Sequence, residues 1–180
     1  MSRPINTCVL GVGLAGLTFH VPFILALPEV FSLHSVLERN PLSPGGKVNE
    51  RFGVEIKIHR SLDQVLEDST VELVIICTPN DTHYPFAKAA LEAGKHGAIF
   101  FFLWIIDAII QLHPVLVDKP VTATLVQALE LGALAQLQGL ILYAFQNRRW
   151  DSDFLALKRL LALPATSPQS LGSITEFESQ

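Results

Sequence analysis

The sequence predicts an α/β fold, a doubly wound and mainly parallel sheet, with a fragment of a second α+β domain behind it. Three observations point there. The apolar run Cys8-Val9-Leu10 leads directly into Gly11-Val12-Gly13-Leu14-Ala15-Gly16, and an apolar helical pattern follows. Glu72-Leu73-Val74-Ile75-Ile76-Cys77 is an unbroken run rich in β-branched residues, as in a strand buried on both faces. Strand-like and helical stretches alternate between these runs and beyond, which implies parallel pairing through helical crossovers.

Each element can be justified in order. The helix after the glycines is expected from Leu14 to about Leu27, with Pro22 a kink because proline lacks an N–H and crowds the preceding turn. Phe31 to Leu37 reads as a second strand ending in Glu38-Arg39-Asn40-Pro41, followed by a turn-rich loop to Gly46. Lys47 to Phe52 suggests a short helix, and Val54 to Ile58 alternates like a half-exposed strand. Ser61 is placed to cap a helix over Leu62 to Glu67. The buried strand ends in Thr78-Pro79-Asn80-Asp81-Thr82-His83, where Asp81 or Thr82 can cap a helix from Tyr84 to Ala93 that closes at Gly94.

Composition narrows the function classes. A chain of 180 residues fits one domain, or one domain plus part of another, and 49% hydrophobic residues are ample for a core. A net charge of −4 without a basic run argues against a nucleic-acid surface. Cys8 and Cys77 lie inside apolar strand-like runs and read as reduced core thiols. The six histidines show no metal-ligand spacing. The polar start, Met1 to Asn6, enters the first strand without a signal-peptide pattern, so a cytoplasmic protein is expected.

The glycine spacing is what a dinucleotide site requires. Gly11 permits the tight turn off the strand, Gly13 lets a pyrophosphate approach the backbone, and Gly16 lets the helix pack on the strand. Glu38 lies 22 positions after Gly16, close to where an acidic residue holds a ribose hydroxyl. Arg39 beside it could stack on adenine or meet a 2′-phosphate. NAD and NADP therefore both remain open, with Glu38 tilting the balance to NAD. A solvated charge pair at a strand end is the alternative for these two residues.

With these pieces the chain resembles the glucose-fructose oxidoreductase, inositol dehydrogenase and MocA (Gfo/Idh/MocA) family. The resemblance is carried by the glycine motif, by Thr78 to His83, by Ala90 to His96, and by Val117-Asp118-Lys119-Pro120. The last of these matches the family's Glu-Lys-Pro motif with Asp in its first position. Gln146 to Phe154 looks most like the branch containing NADP-dependent scyllo-inositol dehydrogenases. The resemblance implies a Rossmann domain over 1–147 and an oxidoreductase moving hydride between NAD or NADP and a secondary alcohol of a sugar or polyol. Lys119 would polarise the reacting oxygen or assist proton transfer. Gly11, Gly13, Leu14, Ala15, Gly16, Glu38, Arg39, Thr78, Pro79, Asn80, His83, Asp118 and Lys119 would line the cofactor. Asn147, Arg148 and Trp150 would sit near its nicotinamide end. The family also admits a homo-oligomer; this chain is expected to lack full activity for want of most of the substrate domain, and a non-catalytic nucleotide-binding or interaction module, or the product of a gene-structure error, are the contrasting readings.

Two stretches depart from the pattern. Gly97 to Pro114 inserts 18 mostly apolar residues where the family runs from Gly-Lys-His straight into a strand like Val115-Leu116-Val117. A membrane span, a helix for partner contact and an in-frame translated intron compete. Its apolar core is too short for a span and Asp107 interrupts it, while clean excision restores the motif spacing and favours the intron. Residues 148–180 are expected to hold a linker helix over Ser152 to Leu163, then Leu171 to Glu178 as the first strand of an incomplete substrate domain. A lone strand cannot form a stable sheet.

Overall fold

The computed structural model describes residues 3–94, 114–164, 166–172 and 175–176. They divide into two units, Met1–Phe145 and Gln146–Gln180. The first holds one six-stranded sheet in the order β3-β2-β1-β4-β5-β6. The strands are β1 (Ile5–Leu10), β2 (Phe31–Leu37), β3 (Lys57–His59), β4 (Leu73–Ile76), β5 (Pro114–Asp118) and β6 (Ile141–Phe145). Every neighbouring pair is parallel. The helices are α1 (Val21–Ala26), α2 (Gly46–Phe52), α3 (Leu62–Glu67), α4 (His83–Glu92) and α5 (Leu125–Leu137).

Alternation along the central strands builds two cores. Cys8, Leu10, Val74, Ile76, Val115 and Val117 pack on one face with Val65, Ala87, Leu91 and Leu131, from α3, α4 and α5. Val9, Leu73, Ile75 and Leu116 pack on the other with Val21, Ile24 and Val48, from α1 and α2. Helices thus cover both faces, and this double burial explains the continuous apolar runs of β1 and β4.

The expected elements return with local differences. The first helix is interrupted: Gly16–His20 forms a π-turn, in which the Val21 N–H bonds Gly16 O, and α1 follows with Pro22 in its first turn. Proline removes a donor, and the wider turn just ahead of it reroutes the backbone bonds. The strand expected over Val54 to Ile58 pairs only at Lys57–His59, although burial alternates through the stretch as the sequence implies. Neither Asp81 nor Thr82 caps α4 with its side chain; Asn80–Thr82 form a 3-10 turn instead. Ser61 does cap α3, its Oγ accepting from Gln64 N.

The anomalous stretch Gly97 to Pro114 lies outside the described residues except at Pro114, where β5 begins. The second unit holds a 3-10 turn, Asn147–Trp150, and helix α6 (Ser152–Leu161). Of the strand expected over Leu171 to Glu178, the residues Leu171, Gly172, Thr175 and Glu176 are in no regular element, and the rest lie outside the described residues. Among the described residues no helix is long and apolar enough to cross a membrane.

Candidate dinucleotide site

Parallel strands all deliver their carboxyl ends to one edge of the sheet, and the candidate residues follow those ends. Gly11 leaves β1 at φ 103°, and a Cβ there would meet Cys77 O at 2.9 Å. Gly16 is tighter still: a Cβ would lie 2.1 Å from Gly11 O. Gly13 is the opposite, for a Cβ there meets nothing within 4 Å. The loop is therefore closed against β4 at its two ends and open at its middle. That open middle is the space in which a pyrophosphate would meet backbone N–H groups, so the residues present fit a dinucleotide. Leu14 is exposed beside it, and Ala15 is half-buried.

Cys77 holds the loop from behind. Its Sγ lies 3.2 Å from Leu10 O and 3.1 Å from Gly11 O, with the thiol as donor. Burial pushes the thiol well above its ordinary value, with the nearby Asp118 charge adding to it. Cys8, also free and buried, is pushed up to about 12 chiefly by the same loss of solvent. Neither is a reactive thiolate, which agrees with the reading of both as core thiols.

Glu38 follows β2 but turns inward. It is 5% exposed, and its Oε2 accepts from Lys47 N at 3.1 Å, at the start of α2. Gly46 stands so close that a Cβ there would meet Oε2 at 2.3 Å. Arg39 is exposed, and its carbonyl accepts from Arg60 Nε at 2.7 Å.

The segments after β4 and β5 are tied by one residue. His83 is 1% exposed, with Nδ1 2.7 Å from Pro120 O and Nε2 2.8 Å from Thr78 O. It joins the Thr78 segment to the Lys119 segment, and neither nitrogen points to solvent. Thr78 is half-buried, while Pro79 and Asn80 are exposed. Thr82 Oγ1 lies 2.6 Å from both Thr78 Oγ1 and Pro79 O, which fixes this corner.

Lys119 is exposed at the end of β5, and the Lys119–Pro120 peptide is cis. Its N–H donates to Asp118 Oδ1 at 2.8 Å. Burial pushes the Asp118 carboxyl up, but the facing His20 and the Lys119 N–H outweigh it and hold it below its usual value. His20 Nε2 stands 3.8 Å from Asp118 Oδ2, too far for a hydrogen bond, and is a buried nitrogen without such a partner. The His20 ring also tilts against Phe145 from β6, with centroids 5.0 Å apart.

Sequence reasoning did not single out His20, Arg60 or Phe145. His20 had one visible signal, as a lone polar ring between the apolar Phe19 and Val21. Arg60 and Phe145 had none. In the second unit, Arg148 Nη1 pairs with Asp151 Oδ2 at 3.1 Å and Trp150 is 42% exposed.

A doubly wound sheet with a glycine cradle at its carboxyl edge defines the nicotinamide-dinucleotide-binding class of α/β domains. Residues 5–100 match the GFO_IDH_MocA family, described as "Oxidoreductase family, NAD-binding Rossmann fold". The chain belongs to that family. It is 41% identical over 181 residues to the uncharacterised oxidoreductase YdgJ of Escherichia coli, covering 99% of this chain and 43% of YdgJ. It is 32% identical over 158 residues to the scyllo-inositol 2-dehydrogenase (NADP(+)) IolW of Bacillus subtilis, covering 88% of this chain and 37% of IolW. Among solved structures, GenD2 from gentamicin A biosynthesis, in complex with NAD, superposes with TM-score 0.70 at 28% identity, covering 90% of this chain and 40% of GenD2. The chain thus spans about two-fifths of the length of the curated relatives it matches.

Proposed function

We propose that this chain supplies the cofactor-binding part of an oxidoreductase that moves hydride between NAD(P) and a secondary alcohol of a sugar or cyclic polyol. The observation that carries the reading is the glycine loop, open at Gly13, sharing one sheet edge with Lys119. Gly11, Gly13, Leu14, Ala15 and Gly16 would hold the pyrophosphate through backbone N–H groups, aided by the helix start behind them. Thr78, Pro79 and Asn80 would border the dinucleotide, with His83 fixing that segment against the next. Bound nicotinamide supplies the hydride donor or acceptor.

Lys119 would stand at the reacting end, its ammonium polarising the substrate oxygen and easing proton movement as hydride transfers. Asp118 orients that segment through the Lys119 N–H. Asn147, Arg148 and Trp150 belong to the nicotinamide end by family resemblance alone. The polyol substrate class is supported by IolW, a relative named for scyllo-inositol. A cytoplasmic setting and self-association are parts of the same reading.

Titration with NADPH and NADH, followed by nicotinamide fluorescence, tests the first step. Saturable binding is expected, and Gly13→Val should weaken it at least about tenfold by filling the open middle of the loop. Absence of binding to either dinucleotide would overturn the proposal. For the chemical step, in a protein that joins this chain to a complete substrate domain, Lys119→Met should lower kcat on a panel of inositols and sugars about 100-fold or more, with dinucleotide affinity nearly unchanged. Undiminished turnover would remove Lys119 from the reacting centre.

A further inference from the structure

One buried ring near the reacting end has no assigned task. His20 closes the π-turn that starts at Gly16, so the helix behind the glycine loop carries it directly. One extra residue in such a turn re-aims the side chains that follow, and π-turns recur at functional sites. His20 is 4% exposed, and its ring tilts against Phe145 with centroids 5.0 Å apart. An apolar side chain could fill that place, whereas an imidazole carries two ring nitrogens into the interior. Its Nε2 has no hydrogen-bond partner, and a buried polar atom left in that way is destabilising. Such an atom calls for an explanation.

The explanation lies across from it. Nε2 stands 3.8 Å from Asp118 Oδ2, and Asp118 is the one carboxylate within ion-pair range of His20 among the described residues. The two carboxylate oxygens divide their work. Oδ1 accepts from Lys119 N at 2.8 Å, while Oδ2 faces the ring carried by the glycine-loop helix. A proton on Nε2 suits this arrangement, because a bare lone pair there would be repelled by the carboxylate. A small rotation of Asp118 closes the gap to hydrogen-bond length, and contacts at catalytic centres often tighten in this way in the working complex. The other side of the same turn is already held, with His83 Nδ1 2.7 Å from Pro120 O.

Resting on the oxidoreductase reading above, we propose that His20 is a positioning residue for Lys119, its Nε2–H holding Asp118 Oδ2 so that Oδ1 fixes the Lys119 backbone. At 4% exposure the ring does not itself reach a substrate, so it acts through Asp118. The link joins two parts of one sheet edge. The helix that starts at the pyrophosphate loop and the turn that carries the ammonium then share one rigid path. A misplacement of about 1 Å at a reacting group can cost about 100-fold in rate, which is why such a link matters.

Nitrogen-15 NMR of the chain itself, at about pH 8 where a free imidazole is neutral, reads the ring directly. The His20 signals, assigned by their absence from His20→Gln, should show the proton on Nε2. Asp118→Asn should move that resonance. A His20 ring with its proton on Nδ1 would overturn the inference, since a bare Nε2 cannot donate. In a protein that joins this chain to a complete substrate domain, His20→Phe should lower kcat about tenfold or more, with KM and dinucleotide affinity within about threefold. His20→Gln keeps an N–H donor and should restore part of kcat. Asp118→Asn should also lower kcat, and the double variant should lose no more than about threefold beyond the worse single variant. Thermal transitions check the folding of each variant; where His20→Phe does not fold, the position of the ring proton and its response to Asp118→Asn decide. Undiminished kcat in His20→Phe, or losses that multiply in the double variant, would overturn the inference. A Lys119→Met variant still impaired in the same protein would then spare the oxidoreductase reading.

Discussion

At the scale of single residues, the three glycines of one motif answer to three different constraints. A methyl at Gly16 must displace the Gly11 carbonyl, which is backbone and cannot swing aside. Gly16→Ala is therefore expected to cost about 3 kcal/mol or more of stability, read from denaturant midpoints. Gly13→Ala meets open space and should leave stability within about 0.5 kcal/mol while weakening dinucleotide binding. A second group of residues sets a pH dependence. Asp68 gathers Lys57 Nζ at 2.8 Å, His34 Nε2 at 3.2 Å and His59 Nε2 at 3.3 Å. The bond from Lys57 holds the Asp68 carboxyl far below the usual range despite its burial, so the stability it lends is present above about pH 4 and lost below. Burial lowers the His59 imidazole, Lys57 adds to that, and Asp68 opposes it in part. The unfolded chain then takes up the histidine proton first, so stability is full above about pH 6.5 and declines as pH falls further. Urea midpoints should drop between about pH 7.5 and 5, and His59→Gln should flatten that drop; an unchanged slope would refute the assignment. What was legible here was type and spacing. The motif predicted the cradle because glycine roles follow from backbone geometry, but the direction of the Glu38 carboxylate was not legible. Gly46 and Lys47 decide it across a loop.

At the scale of elements, the strands were legible where both faces are buried and illegible where one is not. β4 reads directly from its β-branched run, whereas β3 keeps the burial alternation of a strand but pairs over only three residues at the sheet edge. Neither α5 nor β6 has a counterpart among the expected elements. Helix α5 carries Leu125, Val126 and Leu129 on exposed positions as well as Leu131 in the core, so no apolar stripe stands out from its surroundings. The Pro22 kink was foreseeable from the residue, its resolution as a π-turn was not. Capping chemistry is partly legible. Ser61 and Thr124 take the N-cap conformation and accept from Gln64 N and Gln127 N, whereas Thr82 spends its hydroxyl on Thr78 and Pro79. Thr124→Ala should cost about 1 kcal/mol, and Thr82→Ala should loosen the Thr78 corner without the loss of a helix cap. Thermal midpoints of the two variants, with helicity by circular dichroism, separate these effects.

At the scale of the whole molecule, the strand order sets both stability and the place of binding. β1 and β4 lie at the centre, so Leu10 and Ile76 are fully buried in the core that α3, α4 and α5 cover. Either residue changed to Ala should cost about 2–5 kcal/mol, because the surrounding side chains are held by a sheet that cannot collapse around the cavity. The same order brings the ends of β1, β2, β4 and β5 to one edge, and the glycine loop that would receive a pyrophosphate belongs to the unit ending at Phe145. That unit contains the whole sheet and both cores, whereas among the described residues of Gln146–Gln180 there is one helix with turns on either side of it and no residue of either core. A chain ending at Phe145 is therefore expected to unfold in a single transition and to bind ADP within about threefold of the longer chain. Calorimetry and competitive titration measure the two quantities. Loss of the cooperative transition would mean that the sheet needs residues after Phe145 to fold, and loss of ADP binding from a shortened chain that still folds would mean that pyrophosphate recognition depends on them, against its assignment to the glycine loop.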